Sequence, residues 1–143
     1  NLGNEFNTSN VTNMSMMFNY TGYSSTNFTL NLGNQFNTSK VTSMSHMFSS
    51  TGYSSTNFTL NLGNQFNTSK VTYMYSMFSN TGYSSSWTLN LKSFDFSKVG
   101  SNYGNFFSTR SSSNILTVLC STANGEFINA RVSGHTGYNV VCS

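Results

Sequence analysis

Apolar and polar residues alternate along Phe28-Thr29-Leu30-Asn31-Leu32, the period-2 pattern of a strand with one buried face, and the pattern returns at 58–62 and 87–91. Between these strands Val41, Met44 and Phe48 fall at i, i+3 and i+7, the spacing of one helical stripe. Thr42 or Ser39 can cap such a helix through a side-chain oxygen, and both readings stand. Gly52, in Thr51-Gly52-Tyr53-Ser54-Ser55, can end it in the left-handed conformation, with the following Tyr half-buried. Leu2 to Asn7 and its copies read as the turn from strand to helix, where Gly and Asn tolerate positive φ. Asn columns such as Asn34/Asn64 and Asn37/Asn67 can run as ladders from copy to copy.

The pattern is a tandem repeat. Residues 1–30 and 31–60 match at 24 of 30 positions, and 61–89 is a third copy in which Thr56-Asn57-Phe58 has shrunk to Ser86-Trp87. A fourth, eroded copy begins at Leu91, with Phe94-Asp95-Phe96-Ser97-Lys98-Val99 in place of Phe66-Asn67-Thr68-Ser69-Lys70-Val71, and repetition stops near Arg110. Val11/41/71, Met14/44/74, Met17/47/77 and Phe18/48/78 never change between copies. Positions 13/43/73 (Asn, Ser, Tyr), 16/46/76 (Met, His, Ser) and 20/50/80 (Tyr, Ser, Asn) do, and they too are spaced i, i+3, i+7. A site that accepts Met, His and Ser is not packed, so the constant set is the core side of a helix and the changing set its solvent side.

A fixed period of this length marks units that bury their apolar faces on one another. The sequence thus predicts an α/β repeat solenoid over 1–109, three full copies and one degenerate copy, with one short parallel strand and one short helix in each. Residues 110–143 do not repeat. There Ile115 to Cys120 and Tyr138 to Cys142 read as strands, and Ala123-Asn124-Gly125-Glu126 and Ser133-Gly134-His135-Thr136-Gly137 as turns, giving a small β C-terminal cap. Leu2 and Phe6 have no matching cap. The expected cover is another repeat, domain or subunit, end-to-end self-association at the first repeat included. The chain begins inside a copy, which reads as a processed product or a fragment.

Composition adjusts this picture. Asn, Ser and Thr supply 67 of 143 residues and charged residues only 6%, so the surface is neutral and hydrogen-bonding, while 13 Phe, 8 Tyr and 7 Met supply the burial that disordered chains lack. The net charge of +3 is scattered, without the Lys/Arg cluster a nucleic acid partner requires. No apolar run is long enough for membrane insertion. Cys120 and Cys142, the two cysteines, suit one disulfide in an oxidising compartment, two free buried thiols being the alternative.

The motif Thr38-Ser39-Lys40-Val41-Thr42-x-Met44-x-x-Met47-Phe48, with its variant Thr8-Ser9-Asn10-Val11-Thr12-x-Met14-x-x-Met17-Phe18, resembles the repeat of the BspA-like leucine-rich-repeat surface proteins. The resemblance covers residues 1 to about 99. It implies a right-handed, leucine-rich-repeat-like solenoid carried outside a bacterial or microbial-eukaryote cell and used in adhesion. The longer period and the connection Thr-Gly-Tyr-Ser-Ser-Thr-Asn depart from that family's pattern.

The functional expectation is a binding module. Thr29, Asn31, Thr59, Asn61, Thr88 and Asn90 point away from the apolar side of their strands and form the candidate face for an extracellular protein or glycan ligand. A structural stalk or self-assembling fibre segment is the second reading. Catalysis is not expected: His46 stands where sister copies have Met and Ser, Glu126 and His135 are near in sequence but lack a nucleophile, and metal-ligand and phosphate-cradling spacings are missing. No cofactor is expected.

Overall fold

The computed structural model describes residues 2–3 and 5–143, so Asn1 and Asn4 of the first turn lie outside it. Among the described residues there are five short strands: β1 (Asn27–Asn31), β2 (Asn57–Asn61), β3 (Trp87–Asn90), β4 (Leu116–Cys120) and β5 (Tyr138–Cys142). All pairings are parallel, β1 with β2 in one sheet and β3-β4-β5 in order in another. A 3-10 turn at Thr122–Asn124 leads into α1 (Gly125–Val132), the one α-helix among the described residues.

This corrects the predicted fold. The chain is not a repeating solenoid of strand and helix but a small mixed domain with two short parallel sheets and a single short helix. Two local causes are visible. The first is that the segment from Val41 to Thr51 forms turns in place of a helix. Met44, His46, Phe48 and Ser50 donate their N–H groups sideways to Tyr73, Tyr75, Met77 and Ser79 of the next copy, at 2.7–3.0 Å. Met47, Ser49 and Thr51 donate three residues back, to Met44, His46 and Phe48. An α-helix needs every N–H for the fourth residue back, and no stretch that alternates in this way can form one. His46 (φ 58°) and Ser50 (φ 56°) are left-handed, as are Met16, Tyr20, Ser76 and Asn80 at the same places.

The second cause lies between β2 and β3. The third copy lacks a residue just where Asn27 and Asn57 begin the β1–β2 ladder, and Trp87 replaces Phe58. Phe28 and Phe58 stack within 18° of parallel, whereas Trp87 meets Phe58 edge-on at 77°. The ladder stops there, and Leu89, expected beside Leu60, is paired with Val118.

The burial pattern is the part of the repeat that follows the sequence. Val41, Met44, Met47 and Phe48 and their third-copy counterparts are buried, in one apolar cluster that runs through Phe94, Phe96 and Phe106 to Leu116, Val118 and Ile128. Each such side chain stabilises the fold by about 2 kcal/mol relative to exposure. Phe36, Phe66 and Phe94 form a stacked column beside a second one of Phe18, Phe48 and Phe78. Successive copies approach so closely at Gly63 (φ 75°) that a Cβ there would stand 2.3 Å from the Gly33 carbonyl oxygen.

Polar ties hold the copies in register. Thr38 Oγ1 donates to the Asn67 carbonyl at 2.7 Å and accepts from the Asn67 N–H at 2.6 Å; Thr8 with Asn37 and Thr68 with Asp95 repeat the pair. The expected Asn ladders are replaced by these threonines, since Asn37 and Asn67 accept locally from the N–H groups of Ser39 and Ser69. Arg110, 2% exposed, donates to the carbonyls of Thr81, Gly82 and Ser85 at 2.7 Å and of Asn114 at 3.3 Å, which ties the third copy to the segment before β4. Burial pulls its pKa down, and carbonyl dipoles rather than a carboxylate satisfy the charge.

At the C-terminal end the strands read from the sequence are present as β4 and β5, but α1 occupies residues read as turn and connection. Its first residue, Gly125, sits beside Cys142, where even a Cβ would make only ordinary contact, 3.4 Å from the Cys142 sulfur. Cys120 and Cys142 are register partners in β4 and β5 and are joined by a disulfide. Closing that 22-residue separation contributes about 3 kcal/mol in the chain-entropy estimate.

Candidate functional site

The outward residues of the strands divide between the two sheets. Thr29 faces Thr59 across β1–β2, whereas Thr88 faces Thr117 across β3–β4. Thr29, Thr59, Asn61, Thr88 and Asn90 are exposed and Asn31 is half-buried. The three asparagines do the same local work: the side-chain oxygens of Asn31, Asn61 and Asn90 accept from the N–H groups of Gly33, Gly63 and Lys92 at 3.0–3.1 Å and turn the chain out of each strand. That bond fixes each carboxamide and leaves its two N–H donors without an acceptor among the described residues. The hydroxyls of Thr29, Thr59 and Thr88 likewise make no side-chain hydrogen bond among the described residues. The outward surface is therefore a row of held but unused hydrogen-bonding groups.

The break between the sheets adds a concavity. A cleft of about 270 Å³ opens between β2 and β3, with Asn61, Thr88, Asn90 and Lys92 among its polar lining and Leu60, Leu62 and Phe66 as its apolar part. Three of the six candidate face residues thus meet in one cleft, while Thr29, Asn31 and Thr59 lie outside it. Phe66 and Ser93 also line a neighbouring hollow of about 400 Å³, whose other residues are Asn37, Ser39, Asn64, Gln65, Asn67, Ser69 and Asp95. The Ser97 hydroxyl and N–H hold the Asp95 carboxyl below the usual carboxylate range. Lys92 Nζ donates to the Ser143 hydroxyl at 2.7 Å, so one cation stands at the rim. Neutral donors and acceptors over a small apolar floor suit binding.

The remaining candidates do not converge. His46 is exposed, and His135 shares a 2.8 Å hydrogen bond with Thr109 rather than with Glu126. Among the described residues no group of three or more His, Cys, Asp or Glu could hold a metal ion, and no helix is long and apolar enough to cross a membrane. Sequence reading missed the buried threonines, although their constancy at 8, 38 and 68 was a signal, and it missed Arg110 and Arg131, whose roles depend on contacts distant in the chain.

No curated protein and no solved structure matches the chain. Residues 1–118 of the 143 match the family described as Mycoplasma protein of unknown function, DUF285, and the chain belongs to that family.

Proposed function

We propose that the protein is a non-enzymatic, extracellular binding module that attaches to a protein, a glycan or another cell through the outward strand face, with the cleft between the sheets as its centre. The observation that carries this is the meeting of Asn61, Thr88 and Asn90 in that cleft, with the asparagines held by their own turns and their donors unspent. Held donors lose little freedom on binding, so more of each hydrogen bond appears as affinity. The Cys120–Cys142 disulfide supports a place outside the cell or on its surface, because such bonds persist where the medium is oxidising. Attachment to arrays of matrix proteins and glycans tests the reading, with the Thr59→Arg/Thr88→Arg variant as the probe. Attachment should fall by about tenfold or more while the circular dichroism spectrum stays unchanged. Attachment equal to that of the parent protein rejects this face.

A second reading, a stalk or fibre segment built by end-to-end self-association, has one observation in its favour. Phe6 and Met17 are 39% and 38% exposed and Val11 is half-buried, while Phe36, Met47 and Val41 at the same places in the second copy are fully buried. Sedimentation over a concentration series separates the two: growth into long assemblies favours the fibre, and a constant mass favours the monomeric binder.

A further inference from the structure

Arg131, in the last turn of α1, is held in an unusual way for a half-buried cation. Its guanidinium carbon lies 3.7 Å from the centre of the Tyr103 ring and 4.9 Å from that of Phe127. Those rings are themselves fixed, Phe127 lying flat on Phe96 at 4.1 Å and edge-on to Tyr103 at 5.4 Å. The guanidinium is therefore oriented by its faces, through the ring quadrupole, while its N–H edge has no hydrogen bond or ion pair among the described residues. Arg110 makes the contrast, since five backbone carbonyls take up its donors.

Arg131 lines two hollows: a groove of about 190 Å³ between the 103–107 loop and the end of α1, and a wider one of about 420 Å³ along α1. The narrower groove presents Asn105, Ser133 and His135 around Arg131, all exposed, and no Asp or Glu; the wider hollow holds Glu126, with no ion pair to Arg131 among the described residues. A planar guanidinium whose rotation is blocked matches the two oxygens of a carboxylate, and neutral donors and acceptors around it match hydroxyl groups. A phosphate polyanion would ask for several cations, and the groove lining offers one arginine and one histidine.

We propose that this groove binds an acidic sugar residue, with Arg131 paired to the carboxylate of a uronic acid unit and Asn105 and Ser133 to its hydroxyls. The site is separate from the cleft between the sheets and stands or falls independently of it. The test is an amide-resolved NMR titration of the intact, disulfide-bonded chain with an oligouronide, its methyl ester and a glutamate-rich peptide. The acid should shift Gly104, Asn105 and Ser133, and the uncharged ester should bind about tenfold more weakly or worse. Arg131→Gln should abolish the preference for acid over ester, and Arg131→Lys should retain part of it, since the charge remains but the fork is lost. Equal binding of acid and ester to the parent protein, no binding at all, shifts centred on Asn61 and Thr88, or tighter binding of the peptide than of the oligouronide would each overturn the proposal.

Discussion

His46, Met16 and Ser76 share one place in the repeat and one backbone conformation, with φ of 58°, 62° and 52°. Three different side chains at a left-handed position show that the backbone there is imposed by the bonds on either side and owes nothing to the residue. For His46 those are its N–H to the Tyr75 carbonyl and its own carbonyl accepting from Ser49. An L-residue pays about 1–2 kcal/mol for that conformation and glycine pays almost none. His46→Gly should therefore leave stability unchanged or raise it by up to about 1 kcal/mol, and His46→Val should lower it by more than 1 kcal/mol, in urea unfolding. In the predicted helix the glycine would instead cost about 1 kcal/mol. The residue scale also shows where legibility ended: the exposure of His46 could be read from its variation between copies, but its φ could not. A hydrophobic pattern reports which side of the chain is buried and carries no record of which carbonyl an N–H will find.

Among the elements, the short third copy has the largest consequence. β1 and β2 pair over five residues in matching register, and the four-residue β3 turns to β4 instead. The missing residue is plain in the sequence; its effect is not, because a one-residue change at the start of a strand can be absorbed in the preceding loop or can end the ladder. Here the edge-on Trp87 against Phe58 marks the side on which it was resolved. Inserting an Asn between Ser86 and Trp87 should restore a full-length strand and close the cleft. Hydrogen exchange would then show added protection of the amides at 59–62 and 87–90, and attachment through the cleft would be lost. Unchanged exchange would show that the indole, and not the deletion, keeps the sheets apart. α1 was illegible for a related reason: Gly125-Glu126-Phe127-Ile128-Asn129 has turn-forming residues at both ends, and the helix is held by Phe127 on Phe96 and by its seat on Cys142.

For the molecule as a whole, the two sheets are joined by one continuous apolar cluster and by buried polar groups such as Arg110, and the half-buried Tyr138 stands near that charge. Tyr138 donates its hydroxyl to the Ser108 carbonyl. Burial raises its pKa from 10.0 to about 12, against an opposing pull from the Arg110 charge. The folded chain thus favours the neutral phenol more than the unfolded chain does. The stability this contributes is complete below pH 10 and is lost as the pH rises from 10 to about 12. The loss is at most about 3 kcal/mol. Urea midpoints measured on either side of that window should fall with rising pH, and Tyr138→Phe should flatten the fall; an equal slope in the variant would assign alkaline unfolding to other groups.

By itself the sequence determined the repeat and its length, the buried Val, Met and Phe set of the second and third copies, the outward Thr row, the strands and the pairing available to two cysteines. These follow from the hydrophobic effect acting on side chains, which are written residue by residue. Only the tertiary structure decided that the backbone between strands would form turns bonded sideways, that one sheet would become two with a cleft between, and that Arg131 would lie bare-edged on Tyr103. Those outcomes turn on the partners of backbone N–H groups and on rings brought together from distant segments, a choice among near-equal bonds that is made only when the whole chain packs.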